Sequence, residues 1–164
     1  MREALTDASE ELKRVDHLIY VSLKYTRSVD VLRNVLQRII NAIESLQNAL
    51  LIDAEEEGKI TGIPNLPVER CQRLKEISGE FPLIVEMTDF YLFLRKAMRV
   101  EFGKSQEFRR HVTMSIVLEG DKPIDIDIDK VHEYYEKLKE YFDFTFEALK
   151  AHEEKKEAKK SKKK

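Results

Sequence analysis

One long amphipathic segment, VDVLRNVLQRIINAIESLQNALLIDAEEEG at residues 29–58, indicates that this chain folds as a helical bundle. Apolar side chains recur in it at alternating steps of four and three residues, which is the spacing of the buried face of a helix. We call this set the central seam, and it comprises Tyr25, Val29, Leu32, Leu36, Ile39, Ile43, Leu46 and Leu50. Because Val35, Ile40 and Leu51 widen the stripe, the segment needs neighbours on more than one side, as inside a bundle.

On the N-terminal side, a helix is predicted from about residue 7 to residue 26, because Asp7 and Glu10 have the spacing of a capping box. The intervening YTRSVDV at residues 25–31 contains neither Gly nor Pro. Ser28 suits the cap of a tight turn there, and a single kinked helix is the alternative. The sequence leaves both possibilities open.

Proline predicts several of the later boundaries. Pro64 and Pro67 favour extended backbone before them, which makes residues 59–67 a connector. A short helix is predicted from Val68 to Ser78. Pro82 then suits the first turn of the next helix, which carries another wide apolar stripe.

After Gly103 the apolar period changes from 3.6 to 2, which predicts two antiparallel strands within about residues 110–129. Their apolar faces meet only if paired residue numbers have an even sum, because side chains alternate along a strand. Ile116 should therefore lie opposite Ile124 or Ile126.

The C-terminal region begins with a helix for which Asp129 is a good N-cap residue. Residues 153–164 are charged and low in complexity, so we predict a disordered lysine-rich tail there. The rest, residues 1–152, should form a single helical domain. The predicted fold class is mainly α, a bundle of four to five helices with one antiparallel β-hairpin inserted before the last helix.

The charge balance differs between the body and the tail. The 164 residues hold 29 Lys plus Arg against 31 Asp plus Glu, and the tail has seven lysines against three glutamates, which leaves −6 for the rest. An acidic body is not typical of a domain that wraps nucleic acid, so nucleic acid is not the favoured partner. The charged share of 37% is common in thermophile proteins, although long exposed helices alone would also produce it.

Several function classes are not expected. Cys71 is the only cysteine, which excludes an intramolecular disulfide and fits a reducing cytoplasm. The polar N-terminus has no signal-peptide core and no apolar run approaches about 18 residues, so we expect a cytoplasmic protein without a membrane segment. We see no phosphate-binding glycine loop and too few Cys or His for zinc, so no cofactor is expected.

An acidic strand is the first candidate site. Asp125, Asp127 and Asp129 alternate along one strand face, and Glu136 follows at the spacing of the last ligand in a calcium loop. Lys130 stands where that loop requires Gly, and the flanking pattern predicts a strand rather than a helix. We therefore interpret these carboxylates chiefly as a solvated strand face and only secondarily as metal ligands.

A basic cluster is the second candidate. Arg109, Arg110 and His111 have the chemistry to bind phosphate. The predicted register places His111 opposite Asp129, which would make an ordinary cross-strand ion pair the structural alternative.

A polar stripe on the first helix is the third candidate. His17, Tyr20, Lys24 and Arg27 could contact an acidic partner or RNA, although a solvated helix face has the same composition. No spacing partner is evident for His132 or for His152, and we expect both at the surface.

Two stretches, HLIYVSLKYTRSVDVL at residues 17–32 and EFRRHVTMSIVLEGDKPIDIDIDKVHEYYEKLKEY at residues 107–141, resemble segments of small uncharacterised helical proteins of archaea. That resemblance implies a helical fold and no particular activity.

The chain also resembles, more weakly, the HEPN helical bundles, many of which are RNases or partners of nucleotidyltransferases. Their motif is an Arg followed after four to six residues by a His. Arg14 precedes His17 by fewer residues, and Arg109 and Arg110 lie directly before His111, so the nuclease motif is absent.

We therefore predict a non-enzymatic helical protein that acts through protein contacts or self-association, either by the central seam or by the hairpin edge. The alternative prediction is an RNA-binding or RNA-processing protein that uses Arg109, Arg110, His111 and the basic tail.

Overall fold

A computed structural model describes residues 1–162. These residues form five α-helices and a small three-stranded antiparallel sheet, with four helices before the three strands and one helix after them. The helices are α1 (Arg2–His17), α2 (Val29–Glu56), α3 (Pro67–Ser78), α4 (Pro82–Arg99) and α5 (Ile128–Lys162), and the strands are β1 (Phe102–Ser105), β2 (Thr113–Ile116) and β3 (Ile124–Asp127). The predicted mainly α fold class is confirmed.

α2 is the centre of the bundle, and α1, α3, α4 and α5 all pack against it. Most of the central seam is buried there, as its width predicts. Tyr25 is the exception, since its side chain is 80% exposed and lies before the break between the first two helices.

The first two helices are separate. Thr26 has extended backbone angles, and Ser28 Oγ accepts a hydrogen bond from the backbone N–H of Val31 at 3.2 Å, which caps α2 as expected. The last turns of the first helical segment include a π-helical stretch, Leu18–Ser22. A tight turn at Ser28, and not a single kinked helix, joins the two elements.

The start predicted for the first helix is wrong. α1 begins at Arg2, and no side-chain cap at residue 7 starts it. Ala4 and Ala8 are buried, and Leu5 donates its backbone N–H to the carbonyl of Met1. Apolar packing therefore extends the helix upstream of the Asp7–Glu10 pattern, because burial of a helix face outweighs a local capping signal.

Proline and glycine mark the boundaries as expected, with small shifts. α3 begins at Pro67, one residue before the predicted start, and Pro82 is the first residue of α4. Gly58 follows α2 with φ +72°, a left-handed conformation that ends the helix at little steric cost.

The sheet confirms the predicted register and adds one strand. Ile116 lies opposite Ile124 and Met114 opposite Ile126, so the pair sums are even. β1, which pairs with β2, is the missed strand. It has only four residues, one of them Gly103, and the other side chains do not alternate between buried and exposed.

The start of α5 also differs from the prediction. Asp127, and not Asp129, is the cap, because its Oδ1 accepts a hydrogen bond from the backbone N–H of Lys130 at 2.8 Å. β3 runs directly into the helix, so the last strand residue occupies the cap position.

The predicted disorder after residue 152 is contradicted over most of its length. α5 continues to Lys162, because Ala, Glu and Lys are strong helix formers and Lys156 is tied to α2 by an ion pair with Asp53. Residues 163 and 164 of the predicted tail lie outside the described residues.

Candidate functional site

A groove with a volume of about 550 Å³ lies between α1 and the C-terminal half of α5. We call it the α1–α5 groove. Its apolar lining residues are Met1, Leu5, Phe142, Phe146 and Leu149, and its charged ones are Arg2, Glu10, Lys13, Lys150 and Glu153. An apolar cleft with a charged border is typical of a contact surface.

Two phenylalanines one helical turn apart, Phe142 and Phe146, line this groove. The rings of Phe142 and Phe146 are stacked with centroids 6.1 Å apart and an interplanar angle of 14°. Phe146 is 42% exposed. Beneath them, Leu149 packs in a small apolar cluster with Ala4 and Ala49, which holds α1, α2 and α5 together. The groove therefore has a rigid base and an aromatic ring that contacts solvent.

A second surface brings together two regions that the sequence placed apart. The backbone N–H of Phe108 donates to the carbonyl of Arg27 at 2.7 Å. Arg27, Arg110 and His111 then line one pocket of about 220 Å³, together with Asp127, Ile128 and Asp129. We call the set Tyr25, Arg27, Phe108 and Arg110 the aromatic–arginine surface, in which Arg27 is half-buried and the other three side chains are exposed.

The backbone of this loop is unusual. Gln106 and Phe108 have φ values of 52° and 62°, in the left-handed region that non-glycine residues adopt rarely. Phe108 is 76% exposed, so apolar burial does not account for its conformation. Non-glycine residues in this backbone region cluster at functional sites.

Other predicted residues of these clusters lie elsewhere. His17 lines a separate pocket of about 350 Å³ between α1 and α2. Tyr20 packs edge-on against His132 with ring centroids 5.4 Å apart, which gives His132 a partner that the sequence did not indicate. Lys24 and Arg109 are exposed and line neither pocket.

The predicted ion pair between His111 and Asp129 is not formed among the described residues, although both line the same pocket. The strand pairing ends at Thr113 and Asp127, two residues short of that pair. Asp129 is instead in the first turn of α5.

The acidic strand does not gather its carboxylates around a common point. Asp125 accepts a hydrogen bond from Ser115 Oγ at 2.7 Å, and Asp127 caps α5. Glu136 pairs with Lys139 at 2.7 Å on the outer face of the helix. Asp125, Asp127 and Glu136 thus each have a local structural contact.

A cluster that sequence reasoning missed lies between α2 and α5. Nδ1 of His152 is 2.7 Å from Oδ2 of Asp53 and 3.4 Å from Oε1 of Glu57. Nζ of Lys156 is 2.8 Å from Oδ1 of Asp53 and 3.3 Å from Oε2 of Glu56. Asp53 and Glu57 are four residues apart, as are His152 and Lys156, so each pair shares a helix face. That spacing was a visible signal, but it does not reveal that the two faces meet.

Asp53 is the buried member, since its side chain is only 6% exposed. Burial raises the pKa of this carboxyl, but the hydrogen bonds from Lys156 and His152 oppose it and bring the pKa below its usual value. Asp53 is therefore an ionised group held inside the bundle. The sequence predicted too few Cys or His for zinc, and that prediction missed this set of two carboxylates and one imidazole.

No protein-family model, no curated protein and no solved structure matches this chain. Across residues 1–162, the helices fall short of the length and apolar character that crossing a bilayer requires. The arguments about function consequently rest on the geometry of the surfaces described above.

Proposed function

We propose that this protein acts through contacts between polypeptide chains, and that a second copy of itself occupies the α1–α5 groove. The observation that carries this proposal is the half-exposed ring of Phe146 beside an apolar cleft of about 550 Å³. Aromatic side chains packed in apolar clefts are frequent anchors of protein interfaces.

The charges around the groove favour a self-complementary contact. In a two-fold dimer the same patch meets itself, so a border of one sign would repel its copy. The groove border holds three cations, Arg2, Lys13 and Lys150, and two anions, Glu10 and Glu153. A border of mixed sign therefore does not oppose contact between two copies.

The length of α5 gives a second copy additional surface. This helix has 35 residues, or roughly 52 Å at 1.5 Å per residue, whereas α1 has 16. Most of its side chains after Glu153 are exposed. A helical segment that extends past its own bundle is available to pack beside another helix.

The two surfaces that the sequence suggested for self-association are less suitable. The central seam from Val29 to Leu46 is buried within the chain and has no face left for a second copy. The sheet edges are only four residues long, and short edge strands oppose edge-to-edge pairing.

Sedimentation velocity over a range of concentrations tests the proposal. Complete burial of the exposed 42% of Phe146 in both copies contributes up to about 4 kcal/mol, at roughly 25 cal/mol per Å². We therefore expect Phe146→Asp to weaken dimerisation by at least about tenfold and by up to about 1,000-fold. Val117→Asp, at an exposed valine next to β2, is the matched control and should leave the dimer intact.

Two results would contradict the proposal. One is a wild-type protein that stays monomeric at every concentration. The other is a dimer that resists Phe146→Asp but dissociates with Val117→Asp, which would place the interface at the sheet.

A second candidate function, binding of single-stranded RNA, is favoured by the aromatic–arginine surface. Arg27 and Arg110 line one pocket, and Phe108 lies exposed beside them. Stacking on an aromatic ring and neutralisation of phosphate by arginine are the two main contributions in such binding. Because the body of the chain is acidic, we expect binding to be confined to this surface and to weaken steeply with salt.

Fluorescence anisotropy with a labelled single-stranded RNA tests this candidate. Phe108→Ala and Arg110→Ala should each weaken binding by about tenfold, since one base stack or one phosphate contact contributes on the order of 1–3 kcal/mol. Phe146→Asp serves as the matched control, because it alters the other surface. Equal affinity for all three variants and the wild type would remove the candidate.

A further inference from the structure

We propose that Asp53, Glu57 and His152 form a binding site for a divalent transition-metal cation, of which Zn²⁺ fits best. The site is separate from the α1–α5 groove and from the aromatic–arginine surface. One ligand atom from each residue, a carboxylate oxygen or an imidazole nitrogen, lies within 4.8 Å of the others.

The distances suit a tetrahedral ion with little rearrangement. With metal–ligand bonds of about 2.1 Å, the ligand atoms of tetrahedral zinc are separated by about 3.4 Å. Nδ1 of His152 is already 3.4 Å from Oε1 of Glu57. It is 2.7 Å from Oδ2 of Asp53, so this one separation would have to increase by several tenths of an ångström.

The two helices fix these ligands in place. Asp53 lies in the last turn of α2, Glu57 directly follows that helix, and His152 comes from α5, which packs along α2. Asp53 is more than nine-tenths buried, so its carboxylate has few alternative positions. A buried ligand on a rigid helix gives the preorganisation that a metal site requires.

A cavity beside the cluster is an independent observation in favour of a ligand. It has a volume of about 190 Å³, and both Asp53 and His152 contribute to its lining. Ile77, Phe81 and Phe144 cover other parts of it. Three protein ligands leave a fourth position in tetrahedral zinc, and this cavity has room for the water that would take it.

The chemistry of the ligands selects among cations. Imidazole nitrogen suits zinc and neighbouring transition metals, whereas Mg²⁺ and Ca²⁺ prefer six or more oxygen ligands. Two carboxylates neutralise the charge of one divalent ion. The ammonium of Lys156 on the second oxygen of Asp53 orients that carboxylate, but its positive charge repels a cation.

Isothermal titration calorimetry with ZnCl₂, and with MgCl₂ in parallel, tests the site. We expect one Zn²⁺ per chain and much weaker binding of Mg²⁺. His152→Ala and Glu57→Gln should each weaken zinc binding by at least about tenfold. His132→Ala, on the same helix but packed against Tyr20, should leave it unchanged. Circular dichroism of each metal-free variant shows whether it is folded. If His152→Ala does not fold, the test rests on Glu57→Gln, which keeps the shape of the side chain.

A charge variant separates a metal site from a purely structural ion pair. Lys156→Gln keeps a hydrogen-bond donor near Asp53 and removes the positive charge, so zinc affinity should increase several-fold. Lys155→Gln, at the exposed neighbouring lysine, is the control and should have no such effect. A wild-type chain that binds no Zn²⁺, or equal binding by the wild type and by folded Glu57→Gln, would overturn the proposal.

Discussion

Replacing the buried polar side chain Gln47 with methionine should stabilise the protein. Gln47 lies in the middle of α2 and is completely buried. Its Nε2 donates only to the sulfur of Cys71, at 3.5 Å, and within residues 1–162 its Oε1 has no hydrogen-bond partner. A buried acceptor without a partner destabilises the folded state by about 1–3 kcal/mol, whereas a bond to a thiol sulfur returns little.

Methionine matches glutamine closely in volume, forms helices well and adapts to irregular core space. We therefore expect Gln47→Met to raise the free energy of unfolding by about 1–2 kcal/mol, and the melting temperature by roughly 2–8 °C. Urea unfolding followed by circular dichroism measures the change. Wild type and variant must be compared at one protein concentration, because self-association would add to stability.

Gln37→Met is the matched control for this experiment. It is the same substitution on the same helix, but Gln37 is exposed and bonds only to Asn41, so the change should stay within about 0.5 kcal/mol. A lower unfolding midpoint for Gln47→Met beside an unchanged Gln37→Met would refute the reasoning. It would mean that the buried amide stabilises the core.

Two further predictions concern the cap of α5 and a buried phenol. Asp127→Ala should lower the free energy of unfolding by about 1 kcal/mol in urea titrations, since it removes the acceptor for the backbone N–H of Lys130. The control Asp129→Ala should lower it by clearly less. Equal losses for the two variants would count against Asp127 as the cap. Burial, with a smaller contribution from the charge of Glu133, raises the pKa of Tyr134 from 10 to about 12. The folded state therefore favours the neutral phenol. This stabilisation is complete below pH 10 and should be lost as the pH rises from 10 to about 12. A Tyr134→Phe variant whose urea midpoint depends on pH in the same way as that of the wild type would disprove this prediction.

The helices and the register were predictable because they depend on local periodicity. The central seam predicts a helix buried on several sides, and α2 is such a helix. Ser28 and Pro82 mark helix starts through backbone chemistry that operates at any position in a fold. Strand parity limited the partner of Ile116 to Ile124 or Ile126, and the observed partner is Ile124.

The missed features depend on which elements become neighbours. β1 carries no alternating pattern, and it becomes a strand only because β2 offers a free edge. α5 begins two residues earlier than the sequence predicts, because β3 runs into this helix without an intervening loop. Its continuation to Lys162 depends in part on contacts with α2, which composition does not record.

In the candidate sites too, the sequence predicts the chemistry of single residues, whereas packing decides which residues meet. The sequence placed Arg110 and His111 in one basic cluster and Arg27 on the first helix, but it could not predict that all three line one pocket. Asp53 and His152 are separated by 99 positions in the chain, so only the packing of α2 on α5 joins them. Phe146 was not singled out from the sequence, because its position in the groove depends on the packing of α1 against α5.

The central claim is that a second copy of this chain binds in the α1–α5 groove. Isotope-filtered nuclear Overhauser spectra of a mixture of carbon-13-labelled and unlabelled protein test it most directly, because they report only contacts between copies. The account predicts intermolecular contacts from the ring of Phe146 to the methyl groups of Leu5 or Leu149. Intermolecular contacts confined to the sheet around Val117, or none at concentrations where Phe146 gives strong contacts within its own chain, would contradict it.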